Sequence, residues 1–165
     1  MEINQKIQKV LNEQINAELY SAYLYLSMSA YCESINLKGF AHWMRVQAKE
    51  EIGHAMKIYS YTHERVGRVI LAAVEQPPTE WKSTINVFEE TLKHENKVTQ
   101  LIHNLVELAN TEKDYATNSF LKWFIDEQVE EENQANEILQ QLKMIKESPQ
   151  GLLILDSKLG QRKSD

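Results

Sequence analysis

Four stretches of this chain each carry an α-helical stripe that is apolar at both ends and has a glutamate near its middle. The first runs Ile7, Leu11, Gln14, Glu18, Ala22, Tyr25, and the second Phe40, Met44, Gln47, Glu51, His54, Ile58, Tyr61. The third runs Phe88, Leu92, Glu95, Thr99, Ile102, Val106, and the fourth Leu121, Phe124, Gln128, Glu131, Ala135, Ile138, Leu142, Ile145. Steps of three and four keep each stripe on one helix face. Helices of this kind bury their stripes against one another, so the chain is expected to be all-α, a four-helix bundle. A lone buried carboxylate is very costly, and buried charges are paired or coordinate metals. Four carboxylates and one histidine meeting in a single core cannot neutralise each other; multivalent cations can neutralise them.

The bulk numbers agree with that expectation and remove alternatives. The 165 residues suffice for one domain with a substantial core. Only 5 Gly and 3 Pro leave long stretches without a breaker, which favours helix. A formal net charge of −6 argues against a nucleic-acid partner, which would need a basic face to neutralise phosphates. The single Cys32 cannot form an intrachain disulfide, and a reducing compartment is the simple reading. The opening MEINQKIQKV lacks the apolar core of a secretory signal, and no run approaches the roughly 18 apolar residues of a bilayer span. The expectation is a cytoplasmic chain with no membrane partner.

Punctuation places the elements. The first helix is expected from about Gln5 to Glu33, with Asn4 as N-cap. Ser34-Ile35-Asn36-Leu37 is too short for anything but an antiparallel second helix, from about Lys38 to Arg65. Gly39 and Gly53 lie inside that helix, each costing up to about 1 kcal/mol relative to Ala, and close packing at Gly53 beside His54 would explain one of them. From Val66 to Glu80 the helical period stops, with Arg68-Val69-Ile70-Leu71 readable as extended chain. That connection is long enough to cross the bundle and set the third helix, Trp81 to Asn110, parallel to the second. Thr79 or a neighbour is its expected cap. Thr111 is the expected cap of the fourth helix, Glu112 to Lys146. After the breakers Pro149 and Gly151, Leu152 to Leu159 reads as a short fifth helix whose apolar run needs a partner surface. The whole chain, 1–165, is expected to be one domain, with a bundle over about 5–146 and the short helix over about 150–160.

Glu51-Ile52-Gly53-His54 is an E-x-x-H motif. Residues at i and i+3 share a helix face, so both side chains can grip one ion. Carboxylate oxygens with an imidazole nitrogen suit iron, manganese or zinc better than magnesium or calcium. Glu18 and Glu95 add oxygens from the other helices, Glu51 is central enough to bridge two metals, and Glu131 completes a second site. Gln128 is a poor ligand and is expected to hydrogen-bond a bound oxygen species or a ligand carboxylate. Tyr25, seven residues after Glu18 on the same face, is a candidate hydrogen-bond donor or electron source. Ferritin-like dimetal bundles use a Glu from each of two helices and E-x-x-H from each of the other two. This chain departs from that pattern in the fourth helix, where Gln128-Val129-Glu130-Glu131 lacks the second histidine.

With its strings NAELYSAYLYLSMSAY, GFAHWMRVQAKEEIGHAMKIY, FEETLKHE, WFIDEQVEEE and GLLILDSKLG, the chain resembles the bacterial and archaeal non-haem ferritins over essentially all its length. The resemblance implies a ferritin-like bundle with a long crossover between helices two and three and a short fifth C-terminal helix. It also implies iron storage with ferroxidase activity: Fe²⁺ is oxidised by dioxygen or peroxide at a di-iron centre, and the ferric mineral is kept in a hollow 24-subunit shell. By resemblance Glu18, Glu51 and His54 form the first iron site and Glu51, Glu95 and Glu131 the second, with Gln128 and Tyr25 beside them. Glu50, Glu127 and Glu130 resemble ligands of a third iron site that shares Glu131. Bacterioferritins carry a second E-x-x-H and a methionine haem ligand two residues before the histidine of the first motif; Ile52 stands there, so haem is not expected. The positions matching the acidic threefold-channel residues of eukaryotic ferritins are Asn118 and Leu121, so no acidic funnel is implied.

Plainer readings weigh against single residues rather than the set. One Glu on a seam is usually a misassigned register, but four aligned Glu with a neighbouring His are not. His42, His63, His94 and His103 are read as surface or packing residues, Trp43, Trp81 and Trp123 as packing, and Glu132 as solvated. A rubrerythrin-like oxidase would favour a second E-x-x-H and a rubredoxin-like Cys motif. A DNA-protecting mini-ferritin would place its ligands at a subunit interface and lack the fifth helix. Neither pattern is present, and Lys158, Arg162 and Lys163 are too few for a DNA-binding tail. A purely structural bundle leaves the buried acids unexplained.

Overall fold

A computed structural model describes residues 2–146 and 148–164. Among them the chain forms α1 (Gln5–Ser34), α2 (Lys38–Glu64), α3 (Thr84–Thr111), α4 (Tyr115–Ile145) and α5 (Pro149–Leu159), with no strand. At 1.5 Å rise per residue the four long helices are each about 40–47 Å long. Asn4 caps α1 as expected, its side chain accepting from the Lys6 N–H.

Two expected starts shift. α3 begins at Thr84, capped by Ser83, rather than at Trp81 behind Thr79. Thr111 does not cap the fourth helix: it ends α3, and its hydroxyl donates back to the Glu107 carbonyl. Asp114 caps α4 instead, accepting from the Thr117 N–H while Arg65 grips both its oxygens at 3.0 Å. That ion pair spans the gap between α2 and α4, so a tertiary partner selected the cap among several eligible residues.

Contacts between helices fix their directions. Ile3 N–H donates to the Arg65 carbonyl and Ser29 to the Ala41 carbonyl, so α1 and α2 are antiparallel. Ser21 meets His94 and Met28 meets Thr91, so α3 runs antiparallel to α1 and parallel to α2. The crossover over 66–83 makes this possible. It carries no regular structure; Arg68 to Leu71 form no strand. An amide ladder on α1 holds it down: Gln8 accepts from the Arg68 N–H, Asn12 accepts from Ile70 N–H and donates to the Arg68 carbonyl, and Asn16 donates to the Ala73 carbonyl. These side chains are four residues apart, one stripe of α1, so the crossover's polar backbone is paired without a sheet.

The core is divided along the bundle axis. One apolar cluster joins Ile7, Leu11, Ile58, Ile102, Leu105, Leu121 and Phe124. The other joins Met28, Cys32, Phe40, Met44, Phe88, Leu139 and Leu142, and receives Leu155 and Leu159 of α5. Leu121 is fully buried in the first cluster. Close packing falls at Gly39 rather than Gly53. A Cβ on Gly39 would lie 1.7 Å from the Asp156 carbonyl oxygen, because α5 crosses α2 there; a Cβ on Gly53 would meet nothing within 4 Å. Burial of Leu155 and Leu159 leaves only part of the fifth helix's apolar run exposed, chiefly Leu153 and Ile154.

Candidate metal centre

Between the two apolar clusters lie Glu18, Glu51, His54, Glu95, Gln128 and Glu131, all buried. Each is on the seam of its own helix, so the bundle brings together what the stripes share. Glu18, Glu51 and His54 each offer a ligand atom within 4.8 Å of the others, and so do Glu51, Glu95 and Glu131. Glu51 belongs to both groups, as a bridging ligand must. His54 Nδ1 lies 3.1 Å from Glu51 Oε2 and 4.0 Å from Glu18 Oε2. The rings of Trp123 and Phe124 flank the imidazole, with centroids at 5.3 and 6.2 Å, and hold it in place.

Electrostatics show what the set needs. Burial, then the Glu51 charge, pushes the Glu18 carboxyl well above its ordinary range. Burial does the same at Glu51, with Glu95 and Glu131 adding to it, and at Glu131, with Glu95 adding to it. Glu95 is also raised by burial, against the hydrogen bonds of Tyr25 and Gln128. Within the protein, Glu18 Oε2 and Glu131 Oε1 are buried without a hydrogen-bond partner. Unpartnered, desolvated oxygens on members of the ligand groups fit divalent or trivalent cations bound by oxygen with one nitrogen.

Amides and a phenol orient the carboxylates from behind. Tyr25 Oη donates to Glu95 Oε1. Gln128 Nε2 donates to Glu95 Oε2 at 3.1 Å, which realises the ligand-carboxylate alternative at sequence level. Sequence reasoning gave no role to Gln14 and Gln47, which hold Glu18 at 2.9 Å and Glu131 at 2.6 Å. The signal was present in part: Gln14 stands four residues before the Glu18 it holds, and Gln47 four before Glu51, to which it also donates at 3.2 Å, while the bond from Gln47 to Glu131 on α4 has no local spacing to announce it. His94, read as surface or packing, is half-buried; its Nε2 lies 2.7 Å from Ser21 Oγ, and its ring meets Tyr25 edge-on. Burial, then the nearby Lys97, lowers its pKa to about 4, so it is neutral. Glu132, read as solvated, accepts from the Thr99 hydroxyl.

The outer acids do not gather as one set. Glu127 joins His54 and Glu131 in a third ligand group, with Glu127 Oε1 3.8 Å from His54 Nε2. Glu130 is exposed and accepts from Gln134, while Glu50 accepts from Arg162 at 2.7 Å. Among the described residues, no three-ligand group includes Glu50 or Glu130.

The fold and these groups define a carboxylate-rich four-helix bundle whose buried side chains form groups that could hold metal ions. The ferritin-like domain profile matches residues 8–145, and the chain belongs to the ferritin family. It is 44% identical to the bacterial non-haem ferritin of Bacteroides fragilis (strain 638R) over 160 residues, covering 97% of this chain and 99% of that one. It is 40% identical to the bacterial non-haem ferritin of Staphylococcus saprophyticus over 163 residues, covering 99% and 98%. Among solved structures, an Archaeoglobus fulgidus ferritin engineered to a closed form matches with a TM-score of 0.99 and 53% identity over 99% of this chain and all of that one. The open-pore ferritin of the same archaeon matches with a TM-score of 0.97 and 54% identity, covering 98% and 100%. Among the described residues no helix is long and apolar enough to cross a membrane.

Proposed function

We propose that this chain is an iron-storage ferroxidase working in the cytoplasm as a 24-subunit shell. The observation that carries the reading is Glu51, shared by two buried three-ligand groups. Two Fe²⁺ ions enter as substrates, one at Glu18, Glu51 and His54, the other at Glu51, Glu95 and Glu131. Each gives one electron to dioxygen or peroxide. The anionic ligands favour Fe³⁺ over Fe²⁺, since a higher charge gains more from each carboxylate. Tyr25 and Gln128 keep Glu95 aimed at its ion, and the Fe³⁺ product passes to a mineral in the shell. The names of the relatives and solved structures, all ferritins, support storage.

Two measurements test this. Native particle size distinguishes a shell from a lone subunit of 19.2 kDa, and a monomer or dimer alone would reject storage. Anomalous diffraction from Fe²⁺-soaked crystals should find the site beside His54 filled first, because its nitrogen donor adds to two carboxylates. Metal between Glu95 and Glu131 with none at His54 would count against the assignment.

A further inference from the structure

Arg162 lies just past the end of α5, yet its side chain is only 14% exposed. Its Nη2 donates to Glu50 Oε2 at 2.7 Å and its Nη1 to the Trp43 carbonyl at 3.3 Å. The guanidinium lies 4.3 Å from the Trp43 ring centre. Its own carbonyl is 2.7 Å from His42 Nε2; a carbonyl only accepts, so that nitrogen carries the proton. All four contacts are to α2. The α5 helix does not depend on them for its seat, because Leu155 and Leu159 are buried, Asp156 Oδ1 caps the Phe40 N–H at 2.9 Å, and Gly39 admits its backbone.

Glu50 is the residue before the bridging Glu51, and its charge is felt at Glu131 together with the opposing charge of Arg162. The guanidinium therefore stands on the carboxylate next in sequence to Glu51, close enough to the metal groups for both charges to act on Glu131. Glu131 Oε1 is buried and without a hydrogen-bond partner within the protein. Unlike a lysine, the guanidinium cannot give up its charge in a protein. A divalent ion and a guanidinium on one carboxylate repel each other, so one must withdraw when the other binds.

We propose that Arg162 is a displaceable counter-ion built into the C-terminal segment, holding Glu50 off the cluster until a further divalent cation arrives beside Glu131 and takes that carboxylate. The inference rests on reading the cluster as a metal centre. By linkage, whatever the cation does to the tail the tail does to the cation: an ordered tail weakens the last ion bound, and that ion loosens the tail. A ferritin subunit would then register the filling of its site at its chain end.

Co²⁺, which binds such ligands without turnover, is the probe, and the assembled protein is titrated calorimetrically. Hydrogen exchange is followed in parallel on the peptide after Leu159. In the wild type, loading the weakest Co²⁺ should raise exchange in that peptide, a readout that needs no variant. In Arg162→Gln the peptide should exchange fast without metal, and the weakest Co²⁺ should bind roughly twofold to fivefold tighter, the scale of one partly exposed ion pair. Arg162→Lys keeps the charge but loses the fork and the ring contact, and should fall between wild type and Arg162→Gln, while on a Glu50→Gln background Arg162→Gln should have no effect. Equal or weaker Co²⁺ binding in Arg162→Gln, with tail exchange unchanged on loading the wild type, would overturn the proposal and leave Arg162 a structural clamp. Absence of Co²⁺ binding by the wild type would instead overturn the metal-centre reading, and this proposal with it.

Discussion

The carboxylate of Glu51 lies in two ligand groups and is raised by burial and by both Glu95 and Glu131. Without metal, such a residue opposes folding; in the proposed di-iron centre it would be the bridge. Replacing Glu18, Glu95 and Glu131 together by Gln should leave the metal-free chain as stable or more stable, because the amides keep the volume and remove repulsion. The same variant should lose rapid Fe²⁺ oxidation, followed as absorbance growth in air. A strongly destabilised variant would make these acids structural partners. The pH dependence has a definite sign. A carboxyl whose folded pKa is raised holds its proton in the folded state after the unfolded chain has lost it. Stability from this cluster is therefore greatest below the unfolded value of about 4.3 and falls as pH rises from there through the raised folded values. The denaturant midpoint of the metal-free wild type should thus lag the triple variant increasingly as pH rises above the unfolded value of about 4.3. A constant gap would mean the acids keep ordinary pKa values.

At the scale of elements, α2 carries two glycines of opposite consequence. Gly53 is exposed helix with open space at its Cβ, so Gly53→Ala should stabilise by about 0.5–1 kcal/mol through reduced backbone entropy of the unfolded chain. Gly39→Ala drives a methyl into the Asp156 backbone, which cannot yield without lifting α5 from α2. It should cost more than the helix propensity returns and should expose Leu155 and Leu159, seen as faster hydrogen exchange across 149–160. If the two substitutions behave alike, α5 is not seated where the close approach puts it. The amide ladder of Gln8, Asn12 and Asn16 matters at this scale too, since it lets an irregular crossover lie on α1 and return the chain to the far end, which makes α3 parallel to α2.

The whole molecule leaves Leu153 and Ile154 exposed on α5, at 62% and 73%, and Ile70 and Leu71 exposed on the crossover. Large apolar side chains clustered on a surface mark contact sites. Because Ile154 touches little within its own subunit, Ile154→Asp should leave helicity and subunit folding unchanged while shifting the assembly to smaller particles, read by analytical ultracentrifugation. If the proposed shell stays intact in that variant, the contact between copies does not run through Ile154. Buried Leu155 and Leu159 belong to the subunit core, so charges there should instead unfold the fifth helix.

Periodicity alone determined the four long helices, their shared acidic level and the residues Glu18, Glu51, His54, Glu95 and Glu131, because a seam position is a local property of a 3.6-residue repeat. Asn4 was legible for the same reason: a cap is a contact between near neighbours in sequence. What the sequence left open depended on residues far apart in it. Asp114 rather than Thr111 caps α4 because Arg65 arrives from another helix. Gly39 rather than Gly53 is the close approach because α5 crosses α2 there. Gln14 and Gln47 acquire a role once the carboxylates are buried and need donors, and Glu50 is drawn to Arg162 because the chain end folds back 112 positions to reach it. Local pattern sets which faces are buried; only the tertiary structure decides which partner each buried charge meets, because that choice is made by groups the sequence keeps apart.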